Sequence, residues 1–94
     1  MDVEEAIHIM TVAADTACNA MKKIMESPWP PDEARIARAE ALFDQANAGI
    51  RDFLEATKST DEDEFPEVKS ARKEARIALA RHERTLRLVK TYLP

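Results

Sequence analysis

The sequence predicts an all-α protein: an antiparallel, up-down-up bundle of three helices over about residues 3–27, 31–58 and 66–92. Three observations predict it. Proline-rich and acidic breaks cut the 94-residue chain into three long stretches. Each stretch repeats apolar residues at alternating steps of three and four. None shows the period-two alternation of a strand, and β-branched residues are sparse.

The first stretch opens on Asp2, with Glu5 three positions later, the spacing of a capping box. Val3, Ile7, Met10, Ala14, Ala17, Met21 and Ile24 form its seam, and Cys18 and Met25 widen that face. Ser27-Pro28-Trp29-Pro30-Pro31 ends it, because proline cannot donate a helical hydrogen bond and clashes with the preceding turn.

The second stretch is expected to begin at Pro31, which suits the first helical position, with Asp32 and Glu33 at the positive end of the helix dipole. Its seam is Ile36, Ala39, Phe43, Ala46, Ile50, Phe53 and Thr57, flanked by Leu42 and Leu54. Ala34, Ala37, Ala41 and Ala48 suggest a small-residue side open to close helix approach. Gly49, the chain's one glycine, costs about 1 kcal/mol inside a helix, which close packing would offset.

The third stretch starts near Pro66, after the acidic run Asp61–Glu64. Val68, Ala75, Leu79, His82, Leu86, Val89 and Leu93 form its seam, with Ala71 and Ala78 beside it. Short turns make consecutive helices antiparallel neighbours, and the heptad-like spacing favours coiled-coil-like crossing angles near +20°. A chain of this length suits one domain, 1–94, which could associate into a larger bundle.

Charge divides the chain. Residues 1–27 carry a net −3, residues 28–65 a net −6 and residues 66–94 a net +5. The whole chain, at −4, gives no general affinity for nucleic acid or an anionic membrane. No apolar run approaches the ~20 residues that span a bilayer, and the acidic start lacks the order of a secretory signal. The single cysteine, Cys18, cannot form an internal disulfide, which fits a reducing compartment and a cytoplasmic location.

The chemistry-bearing residues each have a functional and a plainer reading. Glu5 and His8 have the ExxH spacing of di-iron bundles, but such a site needs a second ExxH and two further glutamates, and His8 falls on a polar stripe. His82 interrupts an apolar seam, which would suit a metal ligand, a general base or a pH-sensitive contact. Its plainer reading is a partly buried histidine bonded to a side chain or carbonyl. Arg76 and His82 fit the loose R-x5-H spacing of a family of helical ribonucleases, a match two residues long. Cys18, among Ala14, Met21 and Met25, reads as a small buried hydrophobe. No catalytic, cofactor or metal residue is assigned.

Lys69, Arg72, Lys73, Arg76, Arg81, Arg84, Arg87 and Lys90 make the third stretch basic. Phosphate contact is one reading, with Tyr92 as a stacking ring; a solvated face that attracts acidic helices is the other. Ile77 and Leu88 share a line with Arg81 and Arg84, offset from the seam, and Ile9 and Val12 are displaced similarly. Apolar groups beyond one seam mark a second contact surface. Trp29 is either a cap on the bundle end or an exposed anchor, and capping is favoured.

The three-helix layout and the ending RHERTLRLVKTYL resemble microtubule-interacting and trafficking domains. The longer first helix and the proline-rich turn depart from that pattern, so no functional residue is carried over. The expectation is a non-enzymatic interaction module of adaptor, assembly-chaperone or inhibitor type, binding another protein or itself as a homodimer. Ile77, Arg81, Arg84, Leu88 and Trp29 are its candidate partner-binding residues. The alternative is a nucleic-acid-binding accessory acting through the basic third helix.

Overall fold

The computed structural model describes residues 2–91 and contains three helices, α1 (Val3–Met25), α2 (Glu33–Ala56) and α3 (Pro66–Lys90). They run up, down and up in a rod of 49 × 18 × 17 Å. Ile24, Ile36 and Val89 meet at one end of the core, and Ala6, Phe53 and Ala75 belong to its other part, as antiparallel packing requires. Tyr92 and Leu93, assigned to the third stretch from sequence, lie outside the described residues.

The helix starts follow capping chemistry. Asp2 Oδ1 accepts from the Glu5 amide at 2.8 Å, and Asp32 Oδ1 accepts from the Arg35 amide at 2.8 Å. Asp32, rather than Pro31, therefore fixes the start of α2, and Pro31 is buried ahead of the cap. Pro66 does occupy the first turn of α3, where its missing N–H is no loss.

All seven seam positions of α2, from Ile36 to Thr57, are buried. In α3, Val68, Ala75, His82 and Val89 are buried and Leu79 and Leu86 half-buried. The first helix departs from expectation. Its buried residues are Ala6, Ala13, Ala17, Ala20 and Ile24, while Val3, Ile7, Met10 and Met21 are half-buried and Ala14 is exposed.

The cause is the closeness of α1 to α2, which run nearer to each other than either does to α3. Ala17 and Ala20 pack with Ala39 and Ala46, and Gly49 sits against Ala13. Small side chains on both helices allow that approach, so the alanine edge of α1 turns inward. The larger apolar residues are rotated toward α3 and are only partly covered. Ala34, Ala37, Ala41 and Ala48, expected to receive a helix, are exposed instead.

Two arginines close helix ends. Arg35 of α2 donates Nε–H to the Lys23 carbonyl at 3.0 Å, and its terminal nitrogens donate to the carbonyls of Ile24 (3.1 Å), Pro28 (2.6 Å) and Glu26. The last carbonyls of α1, which lack intrahelical donors, are thereby satisfied. Arg72 of α3 does the same for α2, donating to the Leu54 carbonyl and to Thr57 Oγ1, both at 2.7 Å. The buried Thr57 hydroxyl in turn donates to the Phe53 carbonyl at 2.8 Å.

Candidate functional site

Midway along the rod the apolar core divides into two clusters, and a polar pair accompanies the division. His82 of α3 is 6% exposed; its Nδ1 donates to Asn47 Oδ1 of α2 at 2.7 Å. Its ring leans on Phe43, with centroids 4.7 Å apart and planes inclined by 40°. The plainer reading of His82, a partly buried histidine bonded to a side chain, is what the structure has. Burial lowers its pKa below the ordinary 6.5, and the Arg81 charge adds to the effect, so the ring is neutral near pH 7.

With Nδ1 committed as donor, a neutral ring keeps an acceptor lone pair on Nε2. Every buried side-chain nitrogen or oxygen among the described residues has a hydrogen-bond partner. His82 also borders a space between the helices.

That space is a groove of about 330 Å³ between α1 and α3. Met10, Ala14, Ala17, Cys18 and Met21 form its α1 wall, Ala78, Arg81 and His82 its α3 wall, and Ile50 of α2 its floor. The displaced stripe of α1 thus lines a trough whose ionisable side chains are Cys18, Arg81 and His82. Cys18, expected to be buried, is exposed on the wall. The alanine edge takes the place in the core that the sequence pattern gave to the cysteine's side.

Arg72 and Lys90 reach α2, through Leu54 and Glu40 respectively, and so mark the α2-facing flank of α3. Ala78 and Arg81 line the groove, and at about 100° per residue Ile77 and Leu88 fall on the solvent side of Arg81. Ile77 is 40% and Leu88 60% exposed, and Met25 at the end of the α1 stripe is 71% exposed. Arg81 and Arg84, the other members of the Ile77–Leu88 line, are exposed.

Trp29 is 53% exposed, and Pro31 is the buried residue of that turn. Val12 is exposed over a smaller recess of about 230 Å³ between α1 and α2, which also holds His8, Thr16 and Gln45. The basic residues of α3 are exposed apart from Arg72, and they are interrupted by Glu74 and Glu83. Arg87 pairs with Glu83 at 2.8 Å and Lys90 with Glu40.

Cys18 and His82 share the groove, and Asn47 orients the imidazole, which invites comparison with a thiol nucleophile and its base. No hydrogen bond joins the thiol to the ring among the described contacts. Both walls are helix interiors, whose amides are used within the helices, so no backbone donors converge on an oxyanion position. Among the described residues no three His, Cys, Asp or Glu side chains gather to hold a metal ion. No described helix is long and apolar enough to cross a membrane.

Arg35 and Asn47 were not singled out from sequence, and Arg72 was read only as one of the basic residues of the third stretch. An arginine that reaches carbonyls 7 to 18 residues away leaves no periodic signal. Asn47 carried one, being polar beside the Phe43–Ile50 seam opposite a seam histidine. Compared with protein-family models, curated proteins and solved structures, the chain matches none of them.

Proposed function

We propose that the chain is a non-enzymatic protein–protein interaction module whose binding face is the groove between α1 and α3, with the exposed Ile77 and Leu88 on the solvent side of its α3 wall. The observation that carries this reading is the half-covered stripe of α1. Met10, Ala14, Cys18 and Met21 line an apolar trough that α3 does not fill. The stripe runs most of the length of a 23-residue helix, about 35 Å at 1.5 Å per residue. That length suits an amphipathic helix rather than a small compact ligand.

Arg81 on the α3 wall, with the exposed Arg84 beyond it, favours a helix with acidic flanks and sets its position before contact. An adaptor, an assembly chaperone or a small inhibitor would use such a face. One cysteine and the lack of a membrane-crossing helix among the described residues fit work in a reducing compartment such as the cytoplasm. Nucleic-acid binding through α3 is less well supported, since acidic residues interrupt its bases and three of them, Arg72, Arg87 and Lys90, already have carboxylate partners.

The test is a titration of dilute protein, methyl-labelled at methionine, with a synthetic amphipathic helix bearing a leucine stripe and glutamate flanks. Met10 and Met21 methyl signals should move saturably, and a scrambled peptide of equal composition should leave them in place. Signals that stay fixed with both peptides would defeat the reading. A shifted band with DNA or RNA at low salt, lost when Arg81, Arg84 and Arg87 are neutralised, would favour the alternative.

A further inference from the structure

We infer that the occupant of this groove is α1 of a second copy, seated antiparallel to the first so that two rods form a twofold dimer; this rests on the binding face just proposed. A twofold interface must be self-complementary: if residue i meets residue j of the other copy, then j meets i. For two identical antiparallel helices, the contact stripe must therefore read alike in both directions.

The uncovered stripe of α1 does. In order it presents Ile7, Met10, Ala14, Cys18, Met21 and Met25, or two large, two small and two large side chains. The pattern is close to symmetric about residue 16, its three pairs centring on 16, 15.5 and 16. Folding it on that centre sets Ile7 against Met25, Met10 against Met21 and Ala14 against Cys18 of the other copy. The small pair at the centre lets the two helix axes approach, and the long methionines interdigitate above and below it. Ala14 and Cys18 are the exposed members at the middle of the groove wall, where such an approach needs them.

Charge supports the same occupant. Arg81 stands across the groove from Ala14 and Cys18, near the proposed centre, and Arg84 lies one turn beyond it. The outer edge of α1 carries Glu4 and Asp15, both exposed. None of these four charged residues takes part in an ion pair among the described residues. With the second α1 in the groove, its Asp15 comes within a turn of the Arg81 level. Asp15 of each copy thereby comes near Arg81 of the other, in both directions at once.

One experiment separates this inference from the binding face on which it rests. Sedimentation equilibrium over a wide concentration range gives the mass, and a mixed sample of two differently labelled preparations gives methyl contacts between copies. The expected mass rises toward twice 10.6 kDa with concentration. The expected contact joins Met10 to Met21, which lie eleven residues and about 16 Å apart on one helix and so can touch only across copies. Ala14→Glu, at an exposed position, should keep the helical signal and yield a monomer. Should that variant unfold, Cys18→Glu serves the same purpose. A monomer at every concentration would overturn self-docking; the peptide titration then decides whether the face itself stands. A dimer without the Met10–Met21 contact, or one untouched by both charge variants, would overturn the antiparallel pairing.

Discussion

Gly49 of α2 lies directly against Ala13 of α1: a Cβ added to the glycine would stand 3.2 Å from the Ala13 Cβ. That contact is tighter than ordinary van der Waals packing, and the neighbour is a methyl fixed to backbone. Two terms oppose each other in Gly49→Ala. Helix propensity improves by about 1 kcal/mol, and the helices must part by a few tenths of an ångström. Urea unfolding should place Gly49→Ala within about 1 kcal/mol of the parent. Gly49→Leu, which cannot fit without separating the hairpin, should lose about 1–3 kcal/mol. A leucine variant as stable as the parent would show that α1 and α2 are not closely packed there.

Arg35 holds four carbonyls around the end of α1 with its planar fork. Charge alone does not reproduce this, because a lysine ammonium is a single point on a flexible stem. Arg35→Lys should therefore lose about 1–3 kcal/mol in denaturant melts, and Arg35→Met at least as much. Amide exchange should report the loss first in the last turn of α1. Equal stability of the Arg35→Lys variant and the parent would reduce the contact to simple charge attraction.

Thr57 is buried, and its hydroxyl both donates to Phe53 and accepts from Arg72. Thr57→Val keeps the shape and removes both bonds, leaving one guanidinium N–H with fewer partners. A loss of about 1–3 kcal/mol is expected. Because the two residues share one interaction, Thr57→Val and Arg72→Met should not add when combined, and a double-mutant cycle checks this.

His82 makes stability depend on pH. Burial first, and then the Arg81 charge, lower its folded pKa below the ordinary 6.5. Its neighbour on α2 is the neutral Asn47, and from α1 the groove brings Met10, Ala14, Ala17, Cys18 and Met21. The unfolded chain consequently takes up the proton before the folded one. The His82 contribution is complete above pH 6.5, is lost as pH falls below it, and levels off once the folded pKa is passed. Melting temperatures measured across that range should fall with acid, and His82→Gln should flatten the slope. An unchanged slope in that variant would assign the effect elsewhere.

How much of this was legible in the sequence differs by helix. The seam of α2 was fully readable, because its apolar positions form one narrow line between two neighbours and Thr57 continues the spacing. In α1 the apolar band is broad, and periodicity alone does not say which edge of a broad band goes inside. The answer lay in size: Ala13, Ala17 and Ala20 fit the small residues of α2, whereas Met10 and Met21 do not. The same ambiguity misplaced Cys18. In the proposed interface, Ile77, Arg81, Arg84 and Leu88 were readable as a line apart from the seam, while the neighbourhood of Arg81 with Met10 and Met21 required the third dimension. Trp29 gave no clue to its exposure, since a turn tryptophan has no periodic frame.

The arginine closures have a consequence for how the chain holds together. Each of the first two helices has its tail sealed by a residue borrowed from the next helix along, α1 by Arg35 and α2 by Arg72. Cutting the polypeptide at either turn and separating the pieces would leave the upstream piece with bare carbonyls as well as a bare apolar face. The three cylinders are accordingly interlocked in sequence order, and loosening the last one propagates backward to the first.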